Sequence, residues 1–149
     1  MGSLNQMTDF KTVLPEDLIN AYKSTNFEVY ADPEFILKIG EFSPELKNLF
    51  SKVNFSTGCF ITAYNPESGE LPNAENKILQ DALYKEFKIS EYHVVNGLGS
   101  DPTDQWEGEP SFFVMGISLP EAKIFGRKYR QNAIVWCDAS CIPVLITLR

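Results

Sequence analysis

Between Gly58 and Thr147 the spacing of apolar residues switches repeatedly between the period of a strand and that of a helix. That switching narrows the folds open to the chain more than any other feature. Gly58–Tyr64 is rich in β-branched and aromatic residues and is closed by the turn chemistry of Asn65-Pro66-Glu67-Ser68-Gly69. Ile78, Leu79, Ala82, Leu83 and Phe87 then recur at helical spacing, predicting a helix capped by Asn73 and running to about Lys88. Tyr92–Val95 reads as a short strand, Asn96–Pro110 as a loop and Ser111–Ile117 as a strong strand. Ser118-Leu119-Pro120-Glu121 has capping-box form. The helix it opens turns Ala122, Phe125 and Tyr129 inward, with Gly126 permitting a close neighbour. Asn132–Cys137 and Pro143–Thr147 predict a closing hairpin. The order β-α-β-β-α-β-β points to a ferredoxin-like split βαβ core, with helices on one face of a mainly antiparallel sheet.

Ahead of that core the signals are shorter. Residues 1–13 are polar and read as a flexible N-terminus. Leu14-Pro15-Glu16-Asp17 opens a helix whose buried stripe is Leu18, Ile19 and Tyr22. Phe27–Tyr30 and Phe35–Ile39 form a strand pair, and Ser43-Pro44-Glu45 starts a helix burying Leu46, Leu49, Phe50 and Val53. With 149 residues, 44% hydrophobic and 22% charged, residues 14–149 are expected to form one α+β domain.

Charge excludes some functions. The net charge of −7 is uneven, −6 over residues 1–75 and −1 over 76–149. That balance argues against a nucleic-acid partner, and Lys123, Arg127, Lys128 and Arg130 read as a solvated helix face. No apolar run approaches the roughly 20 residues of a membrane span. The first thirty residues lack a signal-peptide pattern. Three cysteines without a CxxC pair, and one histidine (His93), mark neither a zinc site nor a Cys–His nucleophile. The thiols read as structural, in a reducing compartment. An acidic, soluble, cytoplasmic domain is the expectation.

Several polar residues stand out against this background. Thr62, Tyr64 and Asn65 flank the turn after the first core strand, at the sheet edge, with Glu75 and Asn76 in the first turn of the next helix. Glu75 suits the helix dipole. Asn76 is a mediocre helix former and serves either as a buried hydrogen-bonding amide or to read a ligand. The fifteen-residue loop Asn96–Pro110 is long for a compact domain. Its Gly97 and Gly99 resemble part of a phosphate loop but lack a third glycine and a following helix. Asp101, Asp104, Glu107 and Glu109 fit no EF-hand spacing, so no metal is assigned. Trp106 is expected to fold back onto the domain, and Glu109, beside Pro110, is the acid held in place. Gln131 and Asn132, at a helix-to-strand junction, satisfy backbone groups or read a ligand's polar edge. If Cys59, Ile61, Ala63 and Ala133, Val135, Cys137 face the helices, then Phe60, Tyr64 and Trp136 share the other face. Such a face stacks bases, binds a partner or is covered by residues 14–55.

In order, the motifs are Phe60-Ile61-Thr62-Ala63-Tyr64-Asn65-Pro66, Glu75-Asn76, and Gly97-Leu98-Gly99-Ser100-Asp101-Pro102 with Trp106. Glu109-Pro110-Ser111-Phe112 and Gln131-Asn132-Ala133-Ile134-Val135-Trp136 follow. Together they resemble the bacterial domain family of unknown function DUF3293 over about residues 27–146. The resemblance implies a stand-alone bacterial domain and points to the same polar positions, but implies no activity, cofactor or substrate. Leu71-Pro72-Asn73 departs from that family's usual Ser-type cap. Two functions stay open. One is a small polar or nucleotide-like ligand held by Thr62, Tyr64, Asn65, Asn76, Trp106, Gln131 and Asn132. If that site catalyses, Glu75 or Glu109 is the general acid or base. The other is a non-enzymatic protein-interaction module using the acidic 96–110 loop or the aromatic sheet face.

Overall fold

Strand pairing sets the architecture. In the computed structural model, which describes residues 12–149, the chain runs α1 (Glu16–Ser24), β1 (Asn26–Val29), β2 (Phe35–Leu37), α2 (Pro44–Val53) and β3 (Gly58–Ile61). A 3-10 turn (Pro66–Ser68), α3 (Asn73–Ile89), β4 (His93–Ser100) and β5 (Glu109–Met115) follow, then α4 (Leu119–Lys128), β6 (Ala133–Cys137) and β7 (Val144–Thr147). Among the described residues, seven strands join one sheet in the order β2-β1-β4-β5-β3-β6-β7, every neighbouring pair antiparallel. The class is α+β.

Local chemistry starts two of the helices. Ser43 Oγ accepts from the Leu46 N–H at the head of α2, and Ser118 and Glu121 form a reciprocal capping box on α4. In α3 the residue before the helix is Pro72, so Asn73 lies inside the first turn and is not its cap.

The helices do not gather on one face of the sheet. Leu83 and Phe87 of α3 and Ala122 of α4 pack with Cys59, Ile61, Val114 and Ile134. Leu46, Leu49 and Phe50 of α2 pack with Phe60, Phe113 and Val135. Cys59 and Phe60 are neighbours on one strand, so these two cores lie on opposite faces. The cause is legible in β3, which is buried at all four positions; a strand apolar on both sides needs cover on both. Register also corrects the placement of Trp136. Cys59 lies opposite Trp136, and Phe60 opposite Val135. Directly opposed residues share a face, so the half-buried indole sits with the small Cys59 toward α3 and α4. Val135 and Cys137 sit with Phe60 in the α2 core, and no shared aromatic face of Phe60 and Trp136 exists.

The expected 96–110 loop is mostly strand. β4 continues to Ser100, leaving 101–108 as the connection. Gly97 pairs with Val29 on one side and Ser111 on the other. A Cβ at Gly97 would run into the Glu28 carbonyl and the Phe60 ring, so this glycine admits β1 and is not a phosphate cradle.

At the N-terminus no residue of α1 is buried; Leu18, Ile19 and Tyr22 are half-buried, not the buried stripe that periodicity predicts. The expected flexible segment 1–13 falls largely outside the described residues. Within them, Thr12 Oγ1 (2.6 Å) and Val13 N (3.3 Å) donate to the Arg149 carbonyl. Cys59, Cys137 and Cys141 are free and buried. Lys128 pairs with Glu86 at 2.7 Å, so part of the basic run is engaged. No described helix is long and apolar enough to cross a membrane.

Candidate functional site

Beyond Ile61 the chain leaves the sheet, and side chains take over its backbone donors. Ala63 N donates to Gln80 Oε1 (2.8 Å), Tyr64 N to Thr62 Oγ1 (3.0 Å) and Asn65 N to Asn76 Oδ1 (2.8 Å). Gln80 Nε2 (3.1 Å) and Thr62 Oγ1 (2.7 Å) both donate to the Pro110 carbonyl at the head of β5. Asn76 Nδ2 donates to Asn65 Oδ1 (2.8 Å) and the Leu71 carbonyl (3.3 Å). Asn76 and Gln80 are buried one helical turn apart on α3, on the face that also carries Leu83 and Phe87. Both polar ends of Asn76 are thus spent inside the protein. Gln80 was missed by sequence reasoning; the signal was a second amide at i+4 on an apolar stripe.

The turn that follows is held in an uncommon shape. Asn65, Glu67 and Ser68 have φ of 49°, 55° and 62°, a region Asn tolerates and most other side chains avoid. Many bonds fix it. Leu71 N donates to Asn65 Oδ1 (3.0 Å), Glu67 N to the Arg130 carbonyl (2.7 Å) and Asn132 Nδ2 to Ser68 Oγ (2.8 Å). Arg130 (3.3 Å) and Arg149 (3.8 Å) also pair with the Glu67 carboxylate. Such over-determined backbone strain is a mark of sites that must be held in place.

Two concavities meet at this turn. The inner one is a small cavity of about 90 Å³. Phe27, Phe60, Val135 and Leu145 contribute its apolar wall, and Tyr22 reaches it from α1. The outer groove, about 660 Å³, shares Tyr64, Asn65, Ser68 and Glu109 with the inner cavity and extends to Trp106.

Glu109 is the distinctive group. It is half-buried, and its Oε2 accepts from Asn65 Nδ2 at 2.9 Å. Among the described residues its Oε1 has no partner, and no Lys or Arg lines the inner cavity. Burial pushes its carboxyl above the usual carboxylate range, an effect the Asn65 bond opposes. Lys77 lines the outer groove but pairs with Asp81 at 3.3 Å. A carboxylate so placed can take a proton or face a ligand's cation.

The other candidates divide. Thr62, Tyr64, Asn65 and Gln131 line the inner cavity. Gln131 Nε2 donates to the Tyr64 and Tyr129 carbonyls, each at 3.2 Å. Asn132 lines neither concavity and braces the turn between Ser68 and Arg149 Nη1 (3.0 Å). Trp106 lines the outer groove with 42% of its surface exposed, so it folds back only in part. Glu75 is exposed and lines neither concavity; its place is the first turn of α3, where its charge suits the dipole. Asp101 accepts from Thr103 and Gln105, which holds its carboxyl below the usual range. Among the described residues no group of three or more His, Cys, Asp or Glu is placed to hold a metal. Tyr22, Thr25, Ser68 and Ser111 also line the cavity, and none of them is among the residues that the sequence singles out as candidates.

Residues 61–134 match the family model described as "Protein of unknown function (DUF3293)". The match runs from the end of β3 into β6, so it takes in Asn65, Glu109 and Gln131 but not Tyr22 or Phe27. It is narrower than the 27–146 that the motifs suggest. No curated protein and no solved structure matches the chain.

Proposed function

The chain belongs to the DUF3293 family, and we propose that it binds a small polar ligand in the inner cavity, with Glu109 as the recognising acid. The observation that carries this reading is a half-buried carboxylate with one unpaired oxygen, lining a cavity that contains no basic side chain. A cavity with an apolar wall and a few fixed polar groups is the ordinary form of a small-molecule site. The strained Asn65–Ser68 turn supports it by holding Asn65, and through it Glu109, in one geometry before any ligand arrives.

Of the nucleotide-like ligands, a base or nucleoside suits this cavity better than a phosphate ester. No basic side chain lines it to meet a phosphate, and Glu109 would repel one. The raised proton affinity of Glu109 also suits a general acid or base, the role we assign it in any turnover. The strand order β4-β5-β3-β6, with α3 and α4 on one face, supports reading residues 58–137 as a ferredoxin-like split βαβ unit. The free buried thiols support a reducing, cytoplasmic setting.

A thermal-shift panel of nucleosides, amino acids, amines and sugars tests the reading. A ligand at about 100 times its Kd adds roughly 2.7 kcal/mol, a shift of several degrees at this size. We expect a hit whose shift shrinks in Glu109→Gln; a flat panel, or hits indifferent to that change, would overturn it. The exposed Trp106 favours a second reading, protein docking through the 101–108 connection. A protein partner that quenches its fluorescence in the absence of any small-molecule response would select it.

A further inference from the structure

We propose that the ligand carries a cationic nitrogen on a flat apolar body, an arylalkyl amine or amidine. Glu109 is its counter-charge, and Tyr22, Phe27, Phe60 and Tyr64 are its apolar surroundings. The proposal rests on the reading of the inner cavity as the ligand site.

The argument comes from which hydrogen-bonding groups the cavity has left to offer. Its side-chain donors are largely spent inside the protein. Thr25 Oγ1 donates to the Ala21 carbonyl (2.7 Å), Thr62 Oγ1 to that of Pro110 (2.7 Å) and Ser111 Oγ to that of Glu109 (3.0 Å). Asn65 Nδ2 goes to Glu109, and Gln131 Nε2 to two carbonyls. Ser68 and the two tyrosine hydroxyls are the donors left over. The acceptors are open. Glu109 Oε1 and Gln131 Oε1 have no hydrogen bond among the described residues, and both residues line the cavity. A ligand that brings donors satisfies these two oxygens, and one with a positive charge also meets a carboxylate that no basic side chain neutralises.

The walls agree with this. Phe27 and Phe60 meet edge to face with ring centroids 5.1 Å apart, beside Tyr22 and Tyr64. Aromatic rings attract cations through their faces and accept a flat hydrocarbon body. Anionic ligands find no counter-charge there, since no Lys or Arg lines the cavity.

Three probes with one body and different heads test the class by calorimetric titration of the full chain: phenethylamine, 2-phenylethanol and phenylacetate. The amine is expected to bind, the alcohol to bind at least about tenfold more weakly, and phenylacetate to give no heat at millimolar concentration. Glu109→Gln, checked for folding by circular dichroism, is expected to weaken the amine at least about tenfold and to narrow the gap between amine and alcohol. Equal or tighter binding of the alcohol or phenylacetate, or an amine affinity untouched by Glu109→Gln, overturns the cationic class. Silence from all three overturns the class as well. The Glu109-dependent hits of the wider panel then decide the cavity reading on their own.

Discussion

Asn76 makes three hydrogen bonds from a position 1% exposed, and its removal would strand the Asn65 N–H. Leaving a buried donor unsatisfied costs about 1–3 kcal/mol beyond the bonds themselves. Asn76→Ala is therefore expected to lose about 2–4 kcal/mol of stability, read from the midpoint of urea unfolding. A loss below about 0.5 kcal/mol would show that the turn does not depend on it. Glu109 behaves in the opposite sense. Its folded pKa is raised by burial, so the native state keeps the proton to higher pH than the unfolded chain does. Its stabilising contribution is present below the unfolded value and is lost as pH rises through the folded one. Unliganded Glu109→Gln should gain in melting temperature relative to wild type on going from about pH 4 to pH 7. A difference that stays constant across that range counts against the assignment. Asn76 was noticeable in the sequence because Asn is a poor helix former, whereas Gln80 is an ordinary one and drew no notice. The partner that gives Gln80 its role, the Ala63 N–H, exists only because β3 stops at Ile61.

At the level of elements, helices with side-chain caps were the easiest to read. Ser43 and Ser118 start α2 and α4 where the sequence places them, and Ser118→Ala should cost about 1 kcal/mol in the same unfolding assay. β4 was harder, because Asn96-Gly97-Leu98-Gly99-Ser100 has the composition of a loop. Its strand character comes from β1 pairing beside it, a contact between segments about seventy residues apart. Two alanine substitutions separate the roles of its glycines. A Cβ at Gly97 meets backbone and an aromatic ring, whereas at Gly99 the nearest atom is Thr25 Cγ2 at 3.9 Å. Gly97→Ala is expected to destabilise by more than about 2 kcal/mol, and Gly99→Ala to stay within about 1 kcal/mol of wild type. Comparable losses for both would mean that strand pairing, not close approach, sets the requirement.

Across the whole molecule, one sheet separates two cores. Alternation along β6 divided its residues correctly into two sets, but no local signal said which set meets α3 and α4. That choice lies in the pairing of Cys59 with Trp136. Likewise, α2 covers the second face because β3 and β5 are apolar on both sides. Cys59 and Cys137 are 0% exposed and Cys141 is 1% exposed, and burial pushes all three thiols up. The folded protein should therefore resist an aromatic disulfide reagent and release three equivalents of thiol on unfolding. Rapid labelling under native conditions would show that one core opens readily. α1 belongs to neither core, since none of its residues is buried and it borders the inner cavity. With no buried side chain, α1 should exchange its backbone amides with deuterated solvent by a local opening well below the free energy of global unfolding. An occupant touching Tyr22 would couple that opening to its own departure, and the slowing of a few amide protons in one short helix would report the cavity as filled.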